Sequence, residues 1–374
     1  MKGSNALIRA ISYACVYIGA VIGAGYASGQ EILQFFAGYG YIGIAGAIIT
    51  TTLLAWYGAV FMELGHRLKT NSHRDVCRYL CGDKIGVLAD YILLFFMFGM
   101  ISIMISGGGA AAHQYYGWDP IVGKIIIAIV AFFTVVLGFS SALRILSFLT
   151  PLIVVSVLII SMITIGQNYG EIKNLSDAIA IVDPNTASKY GWFAAIIYVS
   201  YNVVPGVSTF ASLGNAERSV KVARSGGILG GITLGICILF ITVAIFSNLV
   251  AIAGYEIPFL EIAQQISFTA GLFFSIVLLL AIYTTAVSNI YGFSIRFFKS
   301  NTNAFRLTVL GVTVAGLLAS MFPFSKLVGT VYPLLGILGL FIMACAMYKT
   351  LKGEVFSDKV EKIMLEKQNK NRRA

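Results

Sequence analysis

Runs of about twenty or more apolar residues recur from Ala6 to Thr350, separated by short charged or turn-rich breaks. The hydrocarbon core of a bilayer is about 30 Å thick, and a helix rising about 1.5 Å per residue crosses it with such a run. The chain is 58% hydrophobic and 11% charged, with a mean hydropathy of +0.87. That is more apolar surface than one water-soluble core can hide. The expected class is an all-α integral membrane protein. Reading the runs between breaks predicts ten transmembrane helices, at about 8–37, 41–65, 88–108, 121–141, 146–166, 189–213, 223–249, 269–297, 304–322 and 327–349.

The first run is too long and too rich in glycine for the short apolar stretch of a cleavable signal, so it is expected to stay as a helix. Five cysteines are an odd number, and Cys15, Cys237 and Cys345 lie inside apolar runs, which argues against a disulfide framework. The net charge of +10 is explained by placement along the chain. With the N-terminus inside, 22 of the 26 Lys and Arg fall on the cytoplasmic side. The other side holds only Lys124, Lys173, Lys189 and Lys326. The positive-inside rule then puts both termini in the cytoplasm. A basic patch for nucleic acid is not needed. Residues 1–350 read as one transmembrane domain, and 351–374 as a basic cytoplasmic tail suited to orientation and contact with anionic membrane lipid.

Ten helices divide into two halves of five, about 6–166 and 189–350, and an odd number of spans gives the halves opposite topology. That layout is the five-plus-five inverted repeat of secondary transporters, whose first helices are often unwound at mid-membrane. Both first helices carry the composition for it. Helix 1 contains GAVIGAGYASGQE from Gly19 to Glu31, and helix 6 contains SYNVVPGVSTFASLG from Ser200 to Gly214. Pro removes a backbone donor and glycine tolerates any twist. Glycines alone could serve close packing, as Gly227, Gly231 and Gly235 in helix 7 are expected to do.

A break in mid-membrane strips partners from carbonyls at one helix end and from N–H groups at the next, which is tolerable only beside a water-filled cavity or a bound group. Around helix 1 this nominates Ile22, Gly23, Ala24, Gly25, Tyr26, Ala27 and Ser28 as a solute site, with the N–H groups of Gly25, Tyr26 and Ala27 facing an anion such as a carboxylate. From helices 3 and 6 come Ser102, Ser200, Tyr201, Asn202, Gly206 and Phe210. Carbonyls at the breaks suit a cation or ammonium, so the pair suits a zwitterion. Glu31 is a carboxylate within a membrane segment, which makes it a candidate coupling-ion ligand, proton carrier or partner of a cationic group, or else the maker of a structural bond.

The GAGYASGQE stretch in a ten-helix chain, with the Asn-Glu-Arg loop after helix 6, resembles the YkvI-type bacterial membrane proteins. More distantly it resembles the LeuT-fold transporters of amino acids, polyamines and organocations. That resemblance implies a bacterial inner-membrane location, a substrate at the helix 1 and 6 breaks, alternating access, and sodium coupling in many members. Sodium-coupled members carry an Ala-x-x-Thr-Ser/Thr pattern on helix 8, matched here by Ala281, Thr284 and Thr285 in AIYTTAVSN, and the carbonyls of Gly19 and Ile22 would complete the ion site. Hydroxyls and carbonyls are hard oxygen ligands of the kind sodium takes. The same hydroxyls could instead bond back to their own helix. Helix 3 departs from the sodium-coupled amino acid transporters in having no mid-membrane Tyr to close over a substrate.

The expected activity is secondary transport of a small organic solute, an amino acid or a related zwitterion or amine, coupled to sodium. Proton-coupled or uncoupled transport is the alternative, and a passive channel is the rival of another class. No H-E-x-x-H or G-x-S-x-G motif occurs, so an enzyme is not expected and no organic cofactor is implied. Glu63 and Asp90 are expected in ion pairs with nearby basic residues, His73, Cys77 and Cys81 form an i, i+4, i+8 column on a loop, and Trp192 suits an interface anchor. The segment from Ala251 to Gln265 is amphipathic and could cap the outer vestibule. Oligomeric state leaves no mark in the sequence.

Overall fold

A computed structural model describes residues 6–137, 140–300 and 302–357. The first apolar run is not one helix. It is α1 (Ala6–Val21), α2 (Ala24–Ser28) and α3 (Gln30–Phe35), jointed at Ile22–Gly23 and again at Gly29. Gly29 sits in the left-handed region, φ +77° and ψ −10°, which a side chain would strain. Helices α4 (Tyr41–Leu68), α5 (His73–Cys81), α6 (Asp83–Tyr116), α7 (Pro120–Leu137) and α8 (Ser140–Asn168) follow. After the short α9 (Leu175–Val182) come α10 (Gly191–Ala216), α11 (Val220–Phe246), α12 (Pro258–Ile266), α13 (Phe268–Ser294), α14 (Asn303–Ala319) and α15 (Phe324–Leu351).

Among the described residues each of the ten predicted segments contains helix, the first of them in three pieces. Among the described residues eight helices are long and apolar enough to cross a membrane, and α1 and α14 are shorter apolar helices. The chain is a multi-pass membrane protein. At 16 residues α1 reaches only about 24 Å, so the first segment needs α2 and α3 to complete a crossing.

The expected break in helix 6 is corrected: α10 runs unbroken through Pro205. Proline removes one backbone bond, but the turns around it stay paired and packed, which membrane helices tolerate. Asn202 Nδ2 returns a bond to the Tyr198 carbonyl at 2.9 Å. The space over Gly206 is taken by the ring of Phe210 from the next turn. Asn, Pro and Gly therefore serve the helix itself.

Small residues set how closely the inner helices approach, since in lipid it is van der Waals packing that holds helices together. A methyl at Gly227 or Gly231 of α11 would run into the α4 backbone at Gly58 or Ala55, and one at Gly235 into the Thr51 side chain. On the other flank of α4, Gly65 meets the α10 backbone at Ala211, and Gly214 of α10 meets α4 at Met62. The Tyr17 ring of α1 fills the remaining gap beside Gly58 and Gly230 and donates to the Leu54 carbonyl at 2.8 Å.

One end of the bundle gathers basic side chains around the buried Glu63 and Glu217 and the half-buried Asp90. Glu63 accepts from Arg67 at 2.8 Å and from Arg224 at 2.6 Å. Asp90 meets His73, Arg74 and Arg296, and Glu217 meets Arg9 at 3.3 Å. These are the ion pairs expected of Glu63 and Asp90. The chain after α15 folds onto this end: the Glu354 carbonyl accepts from Tyr79 at 2.8 Å, Val355 is buried, and Arg224 lies over the Phe356 ring. The rest of the basic tail, 358–374, lies outside the described residues, as does Lys2.

At the opposite end, the segment 251–265 begins as turns and continues into the short α12 (Pro258–Ile266) over the first span, with Phe259 seated on Gly29. Gln114 exchanges two hydrogen bonds with the backbone of Ile257, and Glu256 accepts from the first N–H of α15 at 2.7 Å. Lys124 donates to the carbonyl of Ser320, the C-cap of α14, at 2.7 Å. Each charge opposes the helix dipole it caps.

Candidate functional site

Between the joint of the first span and helices α6, α10, α13 and α15 lies a cavity of about 250 Å³. Its wall includes Gly19, Ala20, Val21, Ile22 and Gly23 from the end of α1, and Tyr201, Asn202, Pro205, Gly206 and Thr209 from α10. Helix α6 contributes Leu93, Phe96, Met97 and Met100, α13 contributes Thr285, Ser288 and Asn289, and α15 contributes Tyr332. Glu31 forms its deep end. Glu31 is 4% exposed, and its carboxylate accepts from the Tyr201 hydroxyl at 2.6 Å. The Tyr332 ring stacks on Tyr201, centroids 4.7 Å apart, and its hydroxyl lies beside the same carboxylate without a hydrogen bond of standard geometry.

The position of Glu31 follows from the jointed helix. Gly29 turns the chain so that α3 starts afresh, and the Glu31 side chain folds back over Gly25, where a β-carbon would collide with the carboxylate. Ser28 secures the turn, its hydroxyl donating to the Gly25 carbonyl at 2.6 Å and accepting from the Gln30 N–H. Beyond Glu31 the way is filled by aromatic rings: Phe35 and Tyr201, and Phe35 and Tyr198, lie 5.4 Å apart, and Phe36 and Tyr198 4.9 Å. The cavity therefore runs from this plug toward the end of the bundle where α6 begins.

Of the residues nominated from sequence, Gly19, Ile22, Gly23, Tyr201, Asn202, Gly206, Thr285 and Glu31 share this cavity. The others sit elsewhere. Ala24 and Gly25 lie in α2, with Gly25 behind the Glu31 carboxylate. Tyr26 points at the Leu234 carbonyl of α11, Ala27 and Ser28 are buried, and Ser102 bonds back to Phe98 of its own helix. Ser200 faces Gly339 of α15, and Phe210 packs edge-on against Tyr17 at 4.5 Å. The N–H groups expected to face a solute anion belong to a helix of only five residues with the protein's own carboxylate beside it. That place is taken by the protein's own acid.

The expected ion ligands are divided. Gly19, Ile22 and Thr285 border the cavity, whereas Ala281 and Thr284 are buried behind it. Thr284 donates to the carbonyls of Leu280 and Ala281, leaving hydroxyl lone pairs for a cation. Ser288 and Asn289 also bond back along α13. The loop column does not assemble: His73 pairs with Asp90, Cys81 turns toward Cys345 of α15, and among the described residues no three His, Cys, Asp or Glu come together as a metal site.

The α6 wall was not nominated, although Leu93, Phe96, Met97 and Met100 recur at the i, i+3, i+4, i+7 spacing of one helix face. An all-apolar face carries no chemical mark that separates a cavity wall from core. Tyr332 was also missed, its one local signal being the Pro that follows it inside a helix.

No protein-family model matches the chain. It is 25% identical over 339 residues to the uncharacterized membrane protein YkvI of Bacillus subtilis (strain 168), covering 90% of this chain and 94% of that protein. It is 26% identical over 337 residues to the uncharacterized protein YyaD of the same organism, covering 88% and 94%. Among solved structures it is similar to MhsT in complex with L-phenylalanine, with a TM-score of 0.60 and 13% identity over 91% of this chain and 88% of that one. The inward-facing conformation of Mhp1 gives 0.57 and 17% over 90% and 74%, and a Na+-coupled sialic acid symporter gives 0.57 and 15% over 88% and 78%. The chain is therefore a membrane protein of LeuT-like fold, similar along most of its length to YkvI and YyaD.

Proposed function

We propose that the protein is a secondary active transporter that moves a small organic solute bearing an amine by alternating access, from a bacterial inner membrane in which both termini are cytoplasmic. The observation that carries this reading is the cavity itself, which ends blindly at Glu31 beneath an aromatic plug, with the joint of the first span in its wall. A blind cavity of this kind fits a carrier open to one side, whereas a channel needs a continuous polar path. The two repeats, about 6–166 and 189–350, are read as the bodies that rock. Of the zwitterion and the amine, the cavity favours the amine. Its described lining contains no Lys, Arg or His to receive a carboxylate, and Glu31 would repel one.

Sodium is proposed as the coupling ion, held by the carbonyls of Gly19 and Ile22 and the hydroxyls of Thr284 and Thr285 at Ala281's turn. The shared cavity border of Gly19, Ile22 and Thr285 supports it, as does the fold shared with a transporter described as Na+-coupled. The test is counterflow in proteoliposomes with a panel of amines and amino acids, with and without a sodium gradient. Saturable, sodium-stimulated exchange is expected. A large conductance that neither saturates nor shows counterflow would replace the carrier with a channel.

A further inference from the structure

Glu31 poses a problem of charge. A carboxylate taken out of water costs several kcal/mol unless a cation or an ample set of hydrogen-bond donors meets it. Here the described side chains around it are phenols: Tyr201 of α10 donates to it, Tyr332 of α15 stacks on Tyr201 with its hydroxyl beside the carboxylate, and Tyr198 packs against Tyr201, while the Gly25 backbone of α2 lies against it from below. The cavity walls from α6 and α13 add only Leu93, Phe96, Met97 and Met100, and Thr285, Ser288 and Asn289. Among the described residues no basic side chain forms an ion pair with Glu31. Among the described residues the 2.6 Å bond from Tyr201 is the one side-chain hydrogen bond of standard geometry to its two oxygens.

The resting site therefore has two balanced forms: a neutral acid, or a carboxylate joined to a cation that enters through the cavity. The wall chemistry says which cation. Two stacked tyrosine rings, Phe96 and two thioethers offer π faces and polarisable surface to an alkylammonium, and about 250 Å³ admits only a small one. A strongly hydrated metal ion would find few oxygen ligands at this end.

We propose that the proton and the ammonium group of the solute compete for the Glu31 carboxylate, so that transport exchanges a small organic cation for a proton. This rests on the transporter reading above. As the cation arrives, the O–H bond of the acid breaks, its proton passes to cavity water, and the carboxylate pairs with the ammonium. On release, water returns a proton. The forms with a bare carboxylate, or with an unpaired ammonium beside the protonated acid, are the costly ones, so proton and cation replace each other at Glu31 while the sodium proposed above stays at its separate border of Gly19, Ile22 and Thr285.

The test uses the purified full chain in detergent at fixed sodium chloride, with n-butylammonium and tetramethylammonium as probes, both charged throughout pH 5.5–8.5. Binding is read from thermal stabilisation, and protons from an indicator dye in weak buffer. The apparent Kd is expected to weaken by about tenfold per pH unit on the acid limb of the Glu31 titration, with about one proton released per cation bound. Glu31→Gln, which keeps an oxygen for the Tyr201 hydroxyl, should abolish both. A Kd independent of pH, binding without proton release, retention of both by Glu31→Gln, or no stabilisation by either probe would each overturn the proposal. Proton release is measured on the unaltered protein, so the outcome does not depend on the variant folding. If it is absent while counterflow of another solute persists, the shared carboxylate fails and the transporter reading stands. If it is present without any counterflow, the transporter reading fails instead.

Discussion

Gly25 is bare because the carboxylate of Glu31 occupies the space that its side chain would need. Gly25→Ala must drive that carboxylate off its bond with Tyr201 or push α2 away from α3. The expected result is a loss of about 1–3 kcal/mol, as for other overpacked interiors, together with loss of uptake. Thermal midpoints in detergent and proteoliposome uptake check both, and a variant normal in each would mean that the turn has room to spare.

The two threonines of α13 should separate. Thr285 borders the cavity while Thr284 is turned into its own helix. Thr285→Ala is expected to weaken sodium-dependent thermal stabilisation by about tenfold or more, and the double variant with Thr284→Ala to abolish it. Sodium titrations with lithium and potassium controls read this directly. Unchanged stabilisation in the double variant would move the ion elsewhere.

The approach of α4 and α11 depends on having nothing at residue 227. Gly227→Val places two methyls against the Gly58 backbone, which cannot yield as a side chain would. A lowered melting midpoint is expected, equivalent to roughly 3 kcal/mol or failure to fold, while Gly311→Ala, in open space on α14, should be neutral or better.

His73 gives the basic end a pH dependence. Its Nε2 lies 2.5 Å from Asp90 and its Nδ1 3.2 Å from an Arg296 nitrogen, so a second ring proton would face a guanidinium. Burial and then Arg296 hold the imidazole below its ordinary 6.5, against the opposing pull of Asp90. The unfolded chain therefore takes up a proton first. Stability from this group is full above pH 6.5 and declines as pH falls from there through the lower folded value. Midpoints measured from pH 8 to 5 should fall less steeply for His73→Gln than for the parent. Parallel curves would assign the acid sensitivity to other groups.

Much of this was legible because it rests on local rules. Ten apolar runs announce ten helical segments, and the glycines from Gly19 to Gly29 announce a jointed first span. The break in helix 6 was read from the same residue types, yet Asn202, Pro205 and Gly206 are absorbed by bonds and packing within one continuous helix. Composition cannot distinguish a proline that opens a helix from one that a crowded environment holds in line. The cavity was partly legible through Glu31, Tyr201 and Asn202. Tyr332 and the α6 wall arrive from segments more than sixty residues away from either, and only the packed fold brings them there.

The unbroken α10 has a mechanical consequence for the first span. At its middle Tyr201 grips Glu31, and just past its end Glu217 grips Arg9. The two attachments are sixteen residues, or about 24 Å, apart along one stiff rod. Between the same two attachments the first span has joints at Ile22–Gly23 and Gly29. A rod and an arm with two joints, pinned at both ends, form a closed four-bar linkage, in which the joints can bend only together along one coupled path until a pin is drawn. A cation that takes Glu31 from Tyr201 would draw the inner pin, leaving the Arg9–Glu217 pair as the pivot about which the arm swings.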